Sequence, residues 1–162
     1  MFDTIIIGAG ITGTAVAHFI SKTALSVLVV EAKEDVAEGS TKANSAIVHA
    51  GYDAKPGTLK AKYNVEGNLM YPALAKQLGF PFLNNGSLIL CFDEKERPDL
   101  EALYQRGIQN GVKGLEILER DQVLVMEPHI NPQVVAALHA PTGGITCPYE
   151  ACIALSESAA QN

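Results

Sequence analysis

The chain opens with the stretch DTIIIGAGITGTAVA at residues 3–17. Its glycines follow the spacing G-x-G-x-x-G between an apolar strand pattern and a helix pattern. Gly8 permits a tight turn, Gly10 lets backbone approach a pyrophosphate, and Gly13 lets the helix lie close to the sheet. The stretch therefore predicts a strand–helix–strand unit that binds a dinucleotide at the helix N-terminus.

The second apolar segment, VLVV at residues 27–30, ends on Glu31. An acid at this position accepts hydrogen bonds from ribose hydroxyls, and its charge disfavours the 2′-phosphate of NADP. These residues leave both NAD and FAD open. The alternative is a buried strand–helix–strand unit whose glycines serve packing alone.

The composition is that of a globular protein. Of 162 residues, 48% are apolar and 19% are charged, and the net charge is −6. Nucleic acid is not expected as a partner, because phosphate binding needs a basic face and the chain has only three scattered arginines.

Targeting and cysteine patterns favour a cytoplasmic location. The N-terminal apolar stretch carries Asp3 in place of the basic region of a secretion signal. The three cysteines form no C-x-x-C motif and have no histidine cluster beside them, so we expect free thiols and no metal site.

Periodicity and turn residues predict the element order. Strands are expected near residues 26–31, 46–50, 87–92, 115–118 and 134–139. Helices are expected near residues 11–23, 58–78, 121–126 and 148–160, with a further one between a capping-box-like Asp93 and Glu96 and its stop at Gly111. Pro72 should kink or split the second helix, which carries one apolar stripe. The stripe consists of Leu59, Tyr63, Met70, Leu74 and Leu78.

Residues 39–51, GSTKANSAIVHAG, resemble the flavin-contacting segment of the D-amino-acid-oxidase-like FAD oxidoreductases. Within that group the chain is most similar to anaerobic-type glycerol-3-phosphate dehydrogenases and L-2-hydroxyglutarate oxidases. Supporting segments are KPGTLKA at 55–61, PTGGI at 141–145 and CPYE at 147–150. The similarity spans essentially the whole chain and implies FAD as the cofactor.

The resemblance also implies roles for individual residues. The glycines would hold the pyrophosphate region with Ser40 and Thr41, Glu31 would bind the adenosine ribose with Lys33 near the adenine, and Asn44 and Ser45 would line the isoalloxazine ring with His49. The implied cofactor-binding residues are Gly8, Gly10, Gly13, Glu31, Lys33, Ser40, Thr41, Asn44 and Ser45.

His49 is the candidate catalytic residue. An imidazole is suited to taking the proton of a substrate hydroxyl, because its ordinary pKa lies near neutral pH. The alternative for His49 is a structural role without proton transfer. We expect His18 to be a packing or surface residue, and His129 and His139 to lie in the substrate region.

The implied architecture is α/β: a Rossmann-like FAD-binding fold of the GR2 type, incomplete, with the start of an inserted α+β substrate domain. Residues 1–79 and 145–162 would form the FAD-binding part, and residues 80–144 the inserted segment. A doubly wound sheet needs more strands than the first two supply. We therefore expect the N-terminal part of a longer enzyme, inactive as 162 residues alone.

The resemblance implies oxidation of glycerol 3-phosphate to dihydroxyacetone phosphate by hydride transfer to FAD. L-2-hydroxyglutarate is the alternative substrate, and an NAD-binding module is the alternative from another class. In either enzyme the partner is a small anionic hydroxy substrate. A peripheral membrane or electron-transfer partner would engage the part after Asn162.

Overall fold

The computed structural model describes residues 1–162, which separate into two compact units. The first unit comprises Met1–Ala46, Ala73–Phe82 and Thr146–Asn162; the second comprises Ile47–Pro72 and Leu83–Ile145. Residues 47–72 thus cluster with the second unit, whereas the predicted boundary grouped them with the FAD-binding segments. The assignment of an FAD-binding and a substrate domain stays a prediction.

The first unit contains the predicted strand–helix–strand. Strands β1 (Thr4–Ile7) and β2 (Val27–Val30) are parallel and paired along their whole length. Helix α1 (Ile11–Ile20) connects them, as parallel neighbours require a crossover. This part of the prediction is confirmed, with the helix ending three residues earlier than expected.

A second helix of the first unit packs against α1. It is numbered α5 and spans Pro148–Gln161. Thr14 Oγ1 of α1 lies 3.4 Å from Cys152 Sγ of α5, and His18 Nδ1 lies 2.9 Å from Ser158 Oγ. His18 is fully buried, so it is a packing residue at this helix–helix contact.

The second unit contains a three-stranded antiparallel sheet. Its strands are β5 (Ser87–Cys91), β6 (Glu116–Glu119) and β7 (Ala136–Ala140), in the order β5–β7–β6. Helix α3 spans Arg97–Asn110 and helix α4 spans Arg120–Met126. The sheet is flanked by two core clusters, because successive residues of β7 point to opposite faces. Leu138 belongs to the cluster with Leu100 of α3, and Ala137 to the cluster with Val123 of α4.

Shorter elements complete the chain. Strand β3 (Ile47–Val48) pairs antiparallel with β8 (Gly144–Thr146), and β4 spans Phe82–Leu83. Three-residue 3₁₀ turns cover Ser40–Lys42 and Glu94–Glu96.

Helix α2 differs from the prediction in two respects. It runs without a break from Leu59 to Leu78, so Pro72 does not split it; proline removes one backbone donor, and the turns on either side keep theirs. The expected apolar stripe is largely exposed, with 69% of Leu59, 57% of Tyr63 and 51% of Met70 accessible. The buried positions are instead Ala61, Asn68 and Ala75, seven residues apart on one face.

The start of α3 also differs from the prediction. The Asp93 side chain accepts a hydrogen bond from Lys95 N at 3.0 Å and opens the 3₁₀ turn, so α3 begins only at Arg97. No reciprocal bond from Glu96 completes a capping box. Such a box occurs at the start of α4, between Glu119 and Gln122. The predicted stop at Gly111 is confirmed by its left-handed φ of +82°.

Candidate cofactor site and active-site cavity

The turn from β1 into α1 requires glycine at two positions. Gly8 has a φ of +100°, and its N–H donates to Val30 O at 2.8 Å. A Cβ on Gly13 would lie 1.9 Å from the carbonyl oxygen of Gly8. The turn is therefore closed by a left-handed glycine and by a helix that touches backbone directly.

The N-terminus of α1 is capped by a residue far along the chain. Gly10 is the N-cap residue and has no side chain to offer, but Ile11 N–H donates to Thr41 Oγ1 at 3.0 Å. A Cβ on Gly10 would lie 3.2 Å from the same hydroxyl. The backbone N–H groups of Thr12 and Gly13, in the first turn, have no carbonyl partner within the helix. They are therefore available to donate hydrogen bonds to an anion.

Glu31 lies beside this turn and is held by three backbone donors. Its Oε2 accepts from Ala9 N at 2.7 Å, and its Oε1 accepts from Ala32 N at 2.7 Å and Lys33 N at 3.0 Å. These bonds, that of Ala9 first, hold the pKa of the Glu31 carboxyl below its ordinary value. An ionised carboxylate has about four acceptor sites, so one remains for a hydroxyl.

The predicted residues after Glu31 have different surroundings. Thr41 is buried, whereas Lys33, Ser40 and Ser45 are exposed. The amide of Asn44 serves its own turn, with Nδ2 donating to Thr41 O at 2.7 Å and Oδ1 accepting from Ala46 N at 2.8 Å. The structure thus gives Asn44 a turn-holding role, and its contact with the isoalloxazine ring stays a prediction.

Two alanines of the first unit adopt left-handed backbone. Ala37 has a φ of 63° and Ala46 a φ of 60°. Ala37 is fully buried, and its N–H donates to Ala9 O at 3.0 Å. Such a conformation costs an alanine roughly 1–3 kcal/mol and clusters at functional sites. Nothing in the sequence marked either residue, because alanine rarely adopts this conformation.

Taken together, these residues fit a dinucleotide. The glycines leave backbone open at the start of α1, the helix supplies N–H groups and the positive end of its dipole, and Glu31 supplies an acceptor for a ribose hydroxyl. All of them lie in the first unit.

His49 lies in the second unit and is exposed. It lines a cavity of about 100 Å³ together with Gly51, Tyr52, Asp53, Ala54, Lys60 and Asn64. Asn64 Oδ1 is buried and has no hydrogen-bond partner. Because buried polar atoms are nearly always paired, this orphaned oxygen marks the cavity as a candidate ligand site.

Helix α3 fixes the loop that forms one wall of this cavity. Asn110 Nδ2 donates to Gly51 O at 2.9 Å and to Ala54 O at 2.7 Å. Arg106, one turn earlier, donates to Asp53 O at 2.9 Å. The i, i+4 spacing of Arg106 and Asn110 places both on one helix face. That spacing was the available sequence signal for these residues, which the sequence analysis missed.

The remaining histidines lie elsewhere. His139 Nδ1 is 3.0 Å from Glu116 Oε1, its cross-strand partner on β6. The structure brings together no group of three or more metal-ligating side chains. None of its helices combines the length and apolar character needed to cross a membrane.

Comparison with known proteins gives close relatives. The chain is 52% identical over 162 residues to a glycerol 3-phosphate dehydrogenase of Caloramator mitchellensis, covering 100% of this chain and 34% of that protein. It is 37% identical over 146 residues to a mitochondrial L-2-hydroxyglutarate dehydrogenase of Pongo abelii, covering 89% of this chain and 34% of that protein.

A solved structure matches the fold. Dithionite-reduced L-α-glycerophosphate oxidase from Mycoplasma pneumoniae with FAD bound superposes with a TM-score of 0.93 at 36% identity, covering 99% of this chain and 42% of that one. The chain thus spans between a third and a half of the length of these relatives. Residues 3–162 match the family of FAD-dependent oxidoreductases. With the glycine turn, the capped helix and Glu31 in place, the chain belongs to this FAD-dependent oxidoreductase family, and FAD is its cofactor.

Proposed function

We propose that the complete protein oxidises glycerol 3-phosphate to dihydroxyacetone phosphate. The observation that carries this proposal is the 52% identity, over the whole chain, to a glycerol 3-phosphate dehydrogenase. The likeness to an FAD-bound α-glycerophosphate oxidase, with a TM-score of 0.93 at 36% identity, agrees with this proposal.

The reaction removes a hydride from a carbon and a proton from the hydroxyl on that carbon, and a carbonyl forms. When bound, FAD supplies the acceptor for the hydride. The proton needs a base within hydrogen-bond reach. His49 takes this role in our proposal, because it is the imidazole that lines the cavity and belongs to the segment expected to contact flavin.

The loop after His49 supports its role in the proposal. Gly51, Asp53 and Ala54 are held by hydrogen bonds from α3. A base on a fixed backbone keeps its orientation to the substrate, and orientation is a large part of the rate that an enzyme gains. In the alternative, His49 holds backbone or flavin and transfers no proton.

L-2-hydroxyglutarate is the second candidate substrate. The specific observation in its favour is the 37% identity to a mitochondrial L-2-hydroxyglutarate dehydrogenase over 146 residues. Both compounds are secondary alcohols that carry an anionic group, so the same hydroxyl chemistry serves either of them.

The test uses the full-length protein with its flavin, mixed anaerobically with each substrate. We expect glycerol 3-phosphate to abolish the visible absorption of oxidised flavin within one turnover, and L-2-hydroxyglutarate to do so far more slowly. The reverse order would assign the alternative substrate. Unchanged spectra with both compounds would contradict the proposal.

Replacing His49 by glutamine tests the proposed base. We expect kcat to fall by about 10²- to 10⁴-fold with an unchanged flavin content. The matched control is His129→Gln, since His129 does not line the cavity. Loss of flavin with little change in kcat per bound flavin would assign the structural role instead.

Three further expectations remain proposals. We place residues 1–79 and 145–162 in the FAD-binding domain and residues 80–144 in the substrate domain. We also propose a cytoplasmic location, with an electron-transfer or peripheral membrane partner for the complete protein. Fractionation of cells that express the full-length protein, followed by its detection in each fraction, tests the location.

A further inference from the structure

One hydrogen-bond acceptor at the cavity beside His49 has no donor within the chain. It is the amide oxygen of Asn64, a residue that lines the cavity; Oδ1 is buried and makes no hydrogen bond. Buried acceptors in folded proteins are nearly always paired with a donor from the chain, from water or from a ligand. Because the chain offers no donor here, we looked for the group that supplies one.

The position of this oxygen brings it close to the loop that follows His49. A Cβ on Gly51 would lie 3.3 Å from Asn64 Oδ1 and 2.5 Å from a methyl group of Val65. Glycine, with its left-handed φ of +111° at this position, lets the loop approach α2 so closely. The acceptor thus lies at the wall that the loop forms, two residues along the chain from His49.

The other acceptors of that wall are occupied. The carbonyl oxygens of Gly51, Asp53 and Ala54 all accept hydrogen bonds from side chains of α3. The carboxylate of Asp53 is also paired, 3.7 Å from the guanidinium of Arg106. Asn64 Oδ1 is therefore the acceptor that remains for a ligand. It suits a hydroxyl, which has a proton to donate, and not an ionised carboxylate, which has lone pairs alone.

The two candidate substrates differ in the hydroxyls that they bring. In both compounds the hydroxyl that is oxidised has one proton, and in the proposed function that proton goes to His49. It is therefore not available to Asn64. Glycerol 3-phosphate has a second hydroxyl, on a carbon next to the reacting one, whereas L-2-hydroxyglutarate has a carboxylate in that place.

We propose that Asn64 Oδ1 accepts a hydrogen bond from the primary hydroxyl of glycerol 3-phosphate and so selects this compound over a 2-hydroxy acid. A carboxylate in that place would set its lone pairs against those of the amide oxygen. A site that pairs with a substrate hydroxyl rejects an analogue that lacks it, because the polar group of the site is then left unpaired. The subsite rests on the proposed function, in which His49 takes the proton of the neighbouring hydroxyl.

The test compares substrates that differ in this hydroxyl alone. The analogue 2-hydroxypropyl phosphate keeps the secondary hydroxyl and the phosphate of glycerol 3-phosphate, but it has a methyl group in place of the CH₂OH group. We would measure kcat/KM for both compounds with the full-length flavin-loaded enzyme. The variants are Asn64→Leu, which has a similar volume and no acceptor, and Asn64→Asp, which keeps an acceptor. The matched control is Gln77→Leu, at an exposed position of α2 that does not line the cavity.

We expect the unaltered enzyme to prefer glycerol 3-phosphate over the analogue by about 10- to 100-fold in kcat/KM, since the analogue leaves a buried acceptor unpaired. Asn64→Leu should reduce this preference to less than about threefold, by lowering kcat/KM for glycerol 3-phosphate alone. Asn64→Asp should keep a preference of about tenfold or more, because the acceptor remains. Gln77→Leu should leave the preference unchanged.

A preference of less than about threefold in the unaltered enzyme would overturn the subsite, and this comparison needs no variant to fold. The subsite is also overturned if Asn64→Leu lowers kcat/KM equally for the two compounds, as it would if a water molecule satisfied the oxygen.

Failure of the proposed function has a different signature, in which neither phosphate compound reduces the flavin of the unaltered enzyme. In that case the binding of 1,2-propanediol and of 2-propanol, followed through the visible spectrum of the bound flavin, tests the subsite alone. The diol carries the additional hydroxyl. A preference for the diol that Asn64→Leu removes supports the subsite, and equal binding of the two alcohols overturns it.

Discussion

At the scale of single residues, the glycine turn has no room for a methyl group at Gly13. A Cβ there would overlap the Gly8 carbonyl oxygen at 1.9 Å, and neither atom belongs to a flexible side chain. The contact joins the first turn of α1 to the end of β1, so the position of the helix N-terminus depends on it. The role predicted for Gly13 from its spacing matches this contact.

Replacement of Gly13 by alanine should therefore destabilise the protein by about 1–3 kcal/mol, because overpacking forces the backbone apart. Urea unfolding measures the free energy of unfolding. The ratio of flavin absorbance to protein absorbance measures the flavin content of the full-length protein, and we expect this content to fall.

The matched control is Gly67→Ala. Gly67 lies inside α2 with no atom near the added Cβ, so alanine there should stabilise by about 0.5–1 kcal/mol. Equal effects of the two substitutions would contradict the close approach at Gly13.

Other single residues could not be predicted from the sequence. The orphaned oxygen of Asn64 and the left-handed Ala37 and Ala46 follow from tertiary packing, which fixes positions that local preference would not choose. Glu31 was identified from its place after β2, but its bond to the backbone of Ala9 depends on how the two strand ends meet.

At the scale of elements, the contact of α3 with the 51–54 loop depends on one amide. Asn110, the last residue of α3, donates from its side-chain amide to the carbonyl oxygens of Gly51 and Ala54. Asn110→Ala should lower the free energy of unfolding by about 1–3 kcal/mol, because buried acceptors lose their donor. Thermal or urea unfolding checks the value, with Gln109→Ala as the control at an exposed position of the same turn. If Asn110→Ala lowered the free energy of unfolding no more than that control, the two hydrogen bonds of Asn110 would not stabilise the contact.

Helix α2 shows why a correct element can have a wrongly predicted face. It runs from Leu59 to Leu78 although it contains both Gly67 and Pro72, and the predicted bounds agree to within one residue. Its buried face is made of small residues, such as Ala61 and Ala75, which permit close approach. The predicted face contained Leu59 and Tyr63, because hydrophobic periodicity favours large apolar side chains. It does not take into account how closely a neighbouring element packs against the helix.

At the scale of the whole molecule, His18 makes stability depend on pH. Burial first, and then the charge of Lys22, hold the pKa of this imidazole below its ordinary value of 6.5. The unfolded chain therefore binds more protons than the folded chain below pH 6.5. Stability is fully present above that pH and declines as the pH falls through the folded pKa.

Urea midpoints measured between about pH 7.5 and pH 5.5 check this expectation. The unaltered protein should lose stability across that range, and His18→Asn should lose less, because asparagine keeps a partner for Ser158 without titrating. Parallel pH profiles for the two proteins would show that His18 does not contribute.

The hydroxyl of Thr41 on the first N–H of α1 changes what counts as the nucleotide-binding motif. A segment of residues 3–31 grafted onto another scaffold would carry every glycine and the acid, yet leave the helix start without its cap. A graft of residues 3–41 would carry both. The capping bond joins Ile11 to Thr41, so it depends on the position of the chain between them. The structural unit that binds the nucleotide therefore extends to Thr41, ten residues beyond the end of the sequence motif at Glu31.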